Sequence, residues 1–136
     1  MFVKQLSVFL ENKEGRLDEV LKILANADVN LLSACIADTS DYGVLRLIAE
    51  DAEKGKAALK EAGFTSRIDE VIAVVVPNAV GSFAKVVTTL HEANINISYI
   101  YGISLNENGA PIVVKTSDNA KAASILEAAG VKTLAL

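Results

Sequence analysis

One cysteine, no tryptophan, two prolines and eight glycines stand among 136 residues, and aromatic side chains make up only 5%. With Cys35 alone the chain can close no internal disulfide and build no multi-thiolate metal site, which fits a reducing compartment and leads to the expectation of a cytoplasmic protein. So little Gly and Pro excludes fibrous and low-complexity architectures. Basic residues are not in surplus either: 13 Lys and Arg face 17 Asp and Glu, a formal net charge of -4. An acidic chain without a basic cluster or Trp is poorly equipped for a phosphate backbone or base stacking, so no nucleic-acid partner is expected. No apolar run approaches the roughly 20 residues that span a bilayer, and the start Met1-Phe2-Val3-Lys4-Gln5 lacks the basic-then-apolar pattern of a signal peptide. A soluble protein with no membrane partner is therefore expected.

What is present is apolar material, 51% hydrophobic against 22% charged. That is ample for a core without disulfide or metal staples. Charge is unevenly spread: residues 1–70 hold 9 Lys and Arg against 13 Asp and Glu, whereas residues 71–136 hold 4 against 4. The sparsely charged second half is expected to lie against another surface, and a homodimer is expected.

The chain repeats itself. Glu11-Asn12-Lys13-Glu14-Gly15-Arg16-Leu17 corresponds to Pro77-Asn78-Ala79-Val80-Gly81-Ser82-Phe83, and Val20/Val86, Leu24/Leu90, Ala27/Ala93 and Asn30/Asn96 keep the same offset. Asp51/Asp118, Lys54/Lys121, Leu59/Leu126 and Gly63/Gly130 match with the offset grown by one residue. An insertion between the two blocks falls where a hairpin turn is expected, because turns absorb insertions that paired strands do not. The expected domains are residues 1–69 and 70–136.

Each copy reads as six elements. Lys4–Leu10 alternates, with Leu6, Val8 and Leu10 on one face and Gln5 and Ser7 on the other, as a half-buried strand does, while its equivalent Val71–Val76 is almost wholly apolar. Leu17, Val20, Leu21 and Leu24 follow helical spacing, as do Phe83, Val86, Val87 and Leu90. Second strands are expected at Asn30–Ala37 and Asn96–Leu105, and third strands at Val44–Ala49 and Ile112–Thr116. The connections Asp38–Gly43 and Asn106–Ala110 carry hairpin chemistry. Asp51 and Asp118 suit the N-caps of second helices that stop at Gly63 and Gly130. Closing strands are expected at Thr65–Ile68 and Val131–Leu136. The order βαββαβ, twice over, implies an α+β fold of two ferredoxin-like units, each an antiparallel sheet in 4-1-3-2 order with both helices on one face. Exposed second strands invite pairing, so the two units are expected side by side in one eight-stranded sheet.

Two features hold more than architecture. Gly15 and Gly81 head the first helix of each copy, where free N–H groups and the positive end of the helix dipole favour an anion and a bare backbone permits close approach. A tight strand-to-helix turn would demand the same glycine. Asn30 and Asn96 can donate to a carboxylate and accept from an ammonium, or can simply occupy a left-handed turn. The blocks Asn-x-x-Gly-x-(Leu/Phe), at Asn12–Leu17 and Asn78–Phe83, and (Val/Ile)-Asn-(Leu/Ile), at Val29–Leu31 and Ile95–Ile97, resemble those of the ACT domain, a small regulatory module that binds amino acids in many biosynthetic enzymes.

The resemblance covers nearly the whole chain. It implies that backbone N–H groups around the glycine hold a ligand carboxylate and that the asparagine holds its polar groups across a dimer-like interface. The first implied site uses Asn12, Glu14, Gly15, Arg16 and Leu17 with Asn96 and Ile97. The second uses Asn78, Val80, Gly81, Ser82 and Phe83 with Asn30 and Leu31. Where the family often has proline before the glycine, Glu14 and Val80 stand here, and Glu14 could attract a ligand ammonium or repel a carboxylate.

His91 reads as a helix-end residue, Cys35 as a small filler, Tyr99 and Tyr101 as packing or interface residues, and Asp38 and Asp41 as hairpin residues. No metal ligand set is visible and no cofactor is expected. The expected function is that of a stand-alone, non-enzymatic regulator or sensor that binds a free amino acid at the interface between two ACT-like repeats and signals to a partner, possible among them a biosynthetic enzyme. Two alternatives are a regulatory subunit acting by protein contact, similar to the small subunit of acetolactate synthase, and an acylphosphatase-like enzyme using Arg16 and Asn30. Ser82 at the position equivalent to Arg16 argues against the last.

Overall fold

A computed structural model of the protein describes residues 2–37, 41–105 and 108–136. The elements are β1 (Phe2–Glu11), α1 (Arg16–Asn26), β2 (Leu31–Ile36), β3 (Tyr42–Ala49), α2 (Ala52–Glu61), β4 (Ser66–Val76), α3 (Ser82–Glu92), β5 (Ile97–Gly102), β6 (Ala110–Thr116), α4 (Asn119–Ala128) and β7 (Lys132–Leu134). The expected turn residues Asp38 and Asn106 lie outside the described residues. The chain divides into two compact units, Lys4–Asp69, and Glu70–Leu136 together with Met1–Val3.

In the unit Lys4–Asp69 the strand order is β2-β3-β1 followed by the start of β4, the 4-1-3-2 arrangement. Leu6, Val8 and Leu10 of β1 and Leu45 and Leu47 of β3 meet Val20 and Leu24 of α1 and Leu59 of α2, so both helices cover the same sheet face. Gly55 lets α2 lie close: a Cβ there would sit 3.2 Å from a Leu6 methyl and 3.3 Å from a Leu24 methyl. The unit Glu70–Leu136 repeats the plan, with β7 and β6 flanking β4 and β5 outside β6. Its core joins Ile72, Val74, Val76, Ile112 and Val114 to Val86, Leu90, Ala122, Ala123 and Leu126.

Both hairpins share one register. Ala34 opposes Leu47 and Ile36 opposes Leu45, as Ile100 opposes Val114 and Gly102 opposes Ile112, and each ladder has its irregularity at the same place, Leu31/Ser33 and Ile97/Tyr99. The extra residue of the second copy therefore lies between Gly102 and Ile112, as the change of offset indicates.

Three expectations need correction. Among the described residues the sheet strands number seven, not eight, because the expected strands Thr65–Ile68 and Val71–Val76 are the one strand β4. No Gly or Pro separates them, so nothing interrupts the extended backbone. The expected pairing of the second strands is replaced by another: among the described residues β2 is laddered to β3 and β5 to β6. Both edge strands carry a register shift, at Leu31/Ser33 and Ile97/Tyr99, and such irregularities disfavour edge pairing. Finally, the second face of β1 is buried at Gln5 and Ser7 and reaches solvent only from Phe9 onward. Gln5 Nε2 donates to Ser7 Oγ at 3.1 Å and Ser7 Oγ donates to Asp69 Oδ2 at 2.9 Å, which satisfies the polar groups that burial would otherwise penalise.

Candidate functional site

The four helices begin in two different ways. Asp51 and Asp118 cap α2 and α4, each carboxylate accepting from the backbone N–H three residues on, Lys54 or Lys121, at 3.0 Å. Helices α1 and α3 instead begin at glycines in the left-handed region, Gly15 with φ 86° and Gly81 with φ 85°, and neither has a side-chain cap. Glycine adopts that conformation most readily, because it has no Cβ to clash. Arg16 N–H turns back to the Lys13 carbonyl at 3.3 Å and Ser82 N–H to the Ala79 carbonyl at 3.2 Å, while the first helical bonds run from Glu19 to Gly15 and from Lys85 to Gly81. Between them, the N–H groups of Leu17 and Asp18 in α1 and of Phe83 and Ala84 in α3 meet no carbonyl or capping side chain among the described residues. Nothing lies within 4 Å of where a Cβ would stand on Gly15 or Gly81, so the backbone is open to approach.

In the unit Lys4–Asp69 this loop forms one wall of a cleft of about 470 Å³. Asn12, Glu14, Gly15, Arg16 and Leu17, all read from the sequence as ligand contacts, line it. Its opposite wall comes from Leu10 and from Ile36, Ala37 and Gly43, the two ends of the β2–β3 hairpin in the same unit. Sequence reasoning missed those three. The connection carried only turn chemistry, and the one signal that could have found them is Gly43, whose added Cβ would stand 3.4 Å from the Ala37 carbonyl oxygen. Arg16 is held by carboxylates, Nη1 at 3.0 Å from Glu19 Oε2 and Nη2 at 3.8 Å from Glu11 Oε2.

In the unit Glu70–Leu136, Val80 is fully exposed and Phe83 half-exposed on the approach to α3. Ser82 lines a smaller cavity of about 150 Å³ with Lys85, Val86 and Val131. Asn78 and Gly81 are exposed in the loop itself.

The asparagines sit elsewhere in their units. Asn30 precedes β2, at the end away from Ile36, and its Nδ2 donates to Glu50 Oε1 at 2.9 Å. Its carbonyl accepts from Glu50 N–H at 3.0 Å, as that of Asn96 accepts from Ser117 N–H at 2.9 Å. Leu31 and Ile97, the first residues of β2 and β5, pack against the two cores. The left-handed turn belongs to neither asparagine but to Asp28 and Asn94, two residues earlier, both at φ 58°. Arg16 and Asn30 therefore do not share the cleft, which removes the geometric basis for an acylphosphatase-like site. Among the described residues no three His, Cys, Asp or Glu side chains are gathered to hold a metal ion. No helix is long and apolar enough to cross a membrane.

A family model described as an ACT domain pair matches residues 1–132. Among solved structures, protein BT0572 from Bacteroides thetaiotaomicron is 40% identical, with 98% of this chain and 92% of that one covered and a TM-score of 0.92. The ligand-free regulatory subunit of aspartate kinase from Thermus thermophilus shares the fold at 15% identity and a TM-score of 0.67, over 93% of this chain and 90% of that one. A structure of aspartokinase alpha and beta subunits does so at 20% identity and a TM-score of 0.58, over 95% and 96%. No curated protein sequence matches.

Proposed function

The chain belongs to the ACT domain pair family, and from that premise we propose that it is a non-catalytic, cytoplasmic regulator that binds a free amino acid at its glycine-headed helix starts and passes occupancy to a partner. One observation carries this reading: α2 and α4 are closed by aspartate caps, whereas α1 and α3 leave backbone donors uncapped behind a left-handed glycine. An anionic Asp cap would exclude a carboxylate, and a glycine without a Cβ admits one. The first cleft is within the size range of small-molecule sites.

The proposed ligand contacts are Asn12, Glu14, Gly15, Arg16 and Leu17 in the first copy and Asn78, Val80, Gly81, Ser82 and Phe83 in the second. Asn30 with Leu31, and Asn96 with Ile97, stand at the starts of β2 and β5, the outermost strands in the sheet order. They would complete a glycine loop presented by a second copy of the chain in a homodimer. Because such a ligand stabilises one arrangement of its surroundings over another, its binding energy becomes a signal.

Isothermal titration against the twenty proteinogenic amino acids should find at least one binder with a dissociation constant of roughly micromolar to millimolar order. A flat response to all twenty overturns the reading.

The exposed apolar residues Val80, Phe83 and Val87 at the start of α3 favour a second reading, a regulatory subunit that works by protein contact, in the family's setting with a biosynthetic enzyme. Co-purification of an enzyme that is lost on Phe83→Glu, together with a flat titration, would select it.

A further inference from the structure

We propose that the cleft of the unit Lys4–Asp69 selects an amino acid with a short aliphatic side chain, its ammonium met by Glu14. This rests on the reading of that cleft as an amino-acid site and adds the class of ligand. Part of the cleft lining is apolar. Leu10, Leu17 and Ile36 present hydrocarbon to the cleft, and Ala37 and Gly43 add no polar side chain. Ile36 is 50% and Leu17 39% exposed, unusual for large apolar side chains on one small concave surface. Against the Leu10, Leu17 and Ile36 side chains a ligand side chain would meet carbon, so a hydroxyl, amide or carboxylate placed there would lose water without replacement from them.

Charge is arranged differently on the rim. Arg16 is already held by Glu19 and Glu11, whereas Glu14, which lines the same cleft with Lys13, enters no ion pair among the described residues. A zwitterion with its carboxylate at the Leu17 and Asp18 N–H groups would bring its ammonium beside the loop that carries Glu14. The second copy differs at both places: Val80 stands for Glu14 and Gly102 for Ile36. The two loops therefore do not take the same ligand in the same way.

Isosteric pairs titrated into the intact protein test this. L-Valine should bind about tenfold or more tighter than L-threonine, and L-leucine tighter than L-asparagine by a similar factor, since the pairs differ in polarity at nearly constant shape. Ile36→Asp, on an exposed edge-strand position, should abolish the preference, and Glu14→Gln should weaken valine roughly tenfold, with circular dichroism verifying that both variants fold. Equal affinities within the pairs, a preferred ligand with a polar or charged side chain, or an unchanged ranking in Ile36→Asp overturns the aliphatic assignment and leaves the amino-acid reading standing. No binding by any amino acid overturns the amino-acid reading itself.

Discussion

Two residues show how closely the backbone depends on glycine, and for different reasons. At Gly109, φ is 122° and a Cβ would lie 2.6 Å from the Val76 carbonyl oxygen; at Gly63, φ is 87° but the space is open. Gly63→Ala should therefore cost about 1 kcal/mol of backbone strain alone, and Gly109→Ala up to about 3 kcal/mol, a difference that urea unfolding would resolve. Gly15 is of the open kind, so Gly15→Asn, which tolerates the left-handed region, should leave the melting temperature nearly unchanged while weakening ligand binding. Equal loss of both would show that the glycine serves the turn and not the ligand. The glycines and asparagines were legible as special positions from their recurrence, but their roles were not: the left-handed turn before β2 belongs to Asp28, and Asn30 spends its amide on Glu50. A side chain's partner across a hairpin is a matter of register, which residue identity alone does not disclose.

Among the elements, the helices were the most readable, because period and caps act locally. Asp51 and Asp118 cap as their positions suggested, and Asp51→Ala or Asp118→Ala should each cost about 1 kcal/mol in chemical denaturation. Gly55 was not legible. Within α2 it reads as a weak helix former, yet it sits against Leu6 and Leu24, so Gly55→Leu should destabilise by about 1–3 kcal/mol through overpacking despite the gain in helix propensity. Strands were harder to read. Strand β1 alternates as expected, but Gln5 and Ser7 on its polar face are buried, which the chain of hydrogen bonds from Gln5 to Ser7 to Asp69 permits; Asp69 lies 62 residues beyond Ser7.

For the whole molecule, the duplication makes a quantitative statement. Leu59 and Leu126 are equivalent, both fully buried, each in the core of its own unit. Leu59→Ala and Leu126→Ala should each cost about 2–5 kcal/mol, and calorimetry should place the two losses within a factor of two of each other if the cores are equally close-packed. Analytical ultracentrifugation tests the homodimer that the proposed sites require: a strictly monomeric protein at the concentrations where ligand binds would leave Asn30 and Asn96 outside any glycine loop of a second copy.

By itself the sequence determined what depends on local pattern: the doubling, the helices and their caps, and the 4-1-3-2 order that right-handed crossovers enforce. Tertiary structure alone decided that two expected strands are the single β4, that β2 and β5 remain unjoined edges, and that the first glycine loop faces the hairpin of its own unit. Each of these depends on which distant segments share hydrogen bonds or hydrocarbon contacts. Those pairings are chosen by the free energy of the assembled unit, and no stretch of neighbouring residues encodes them.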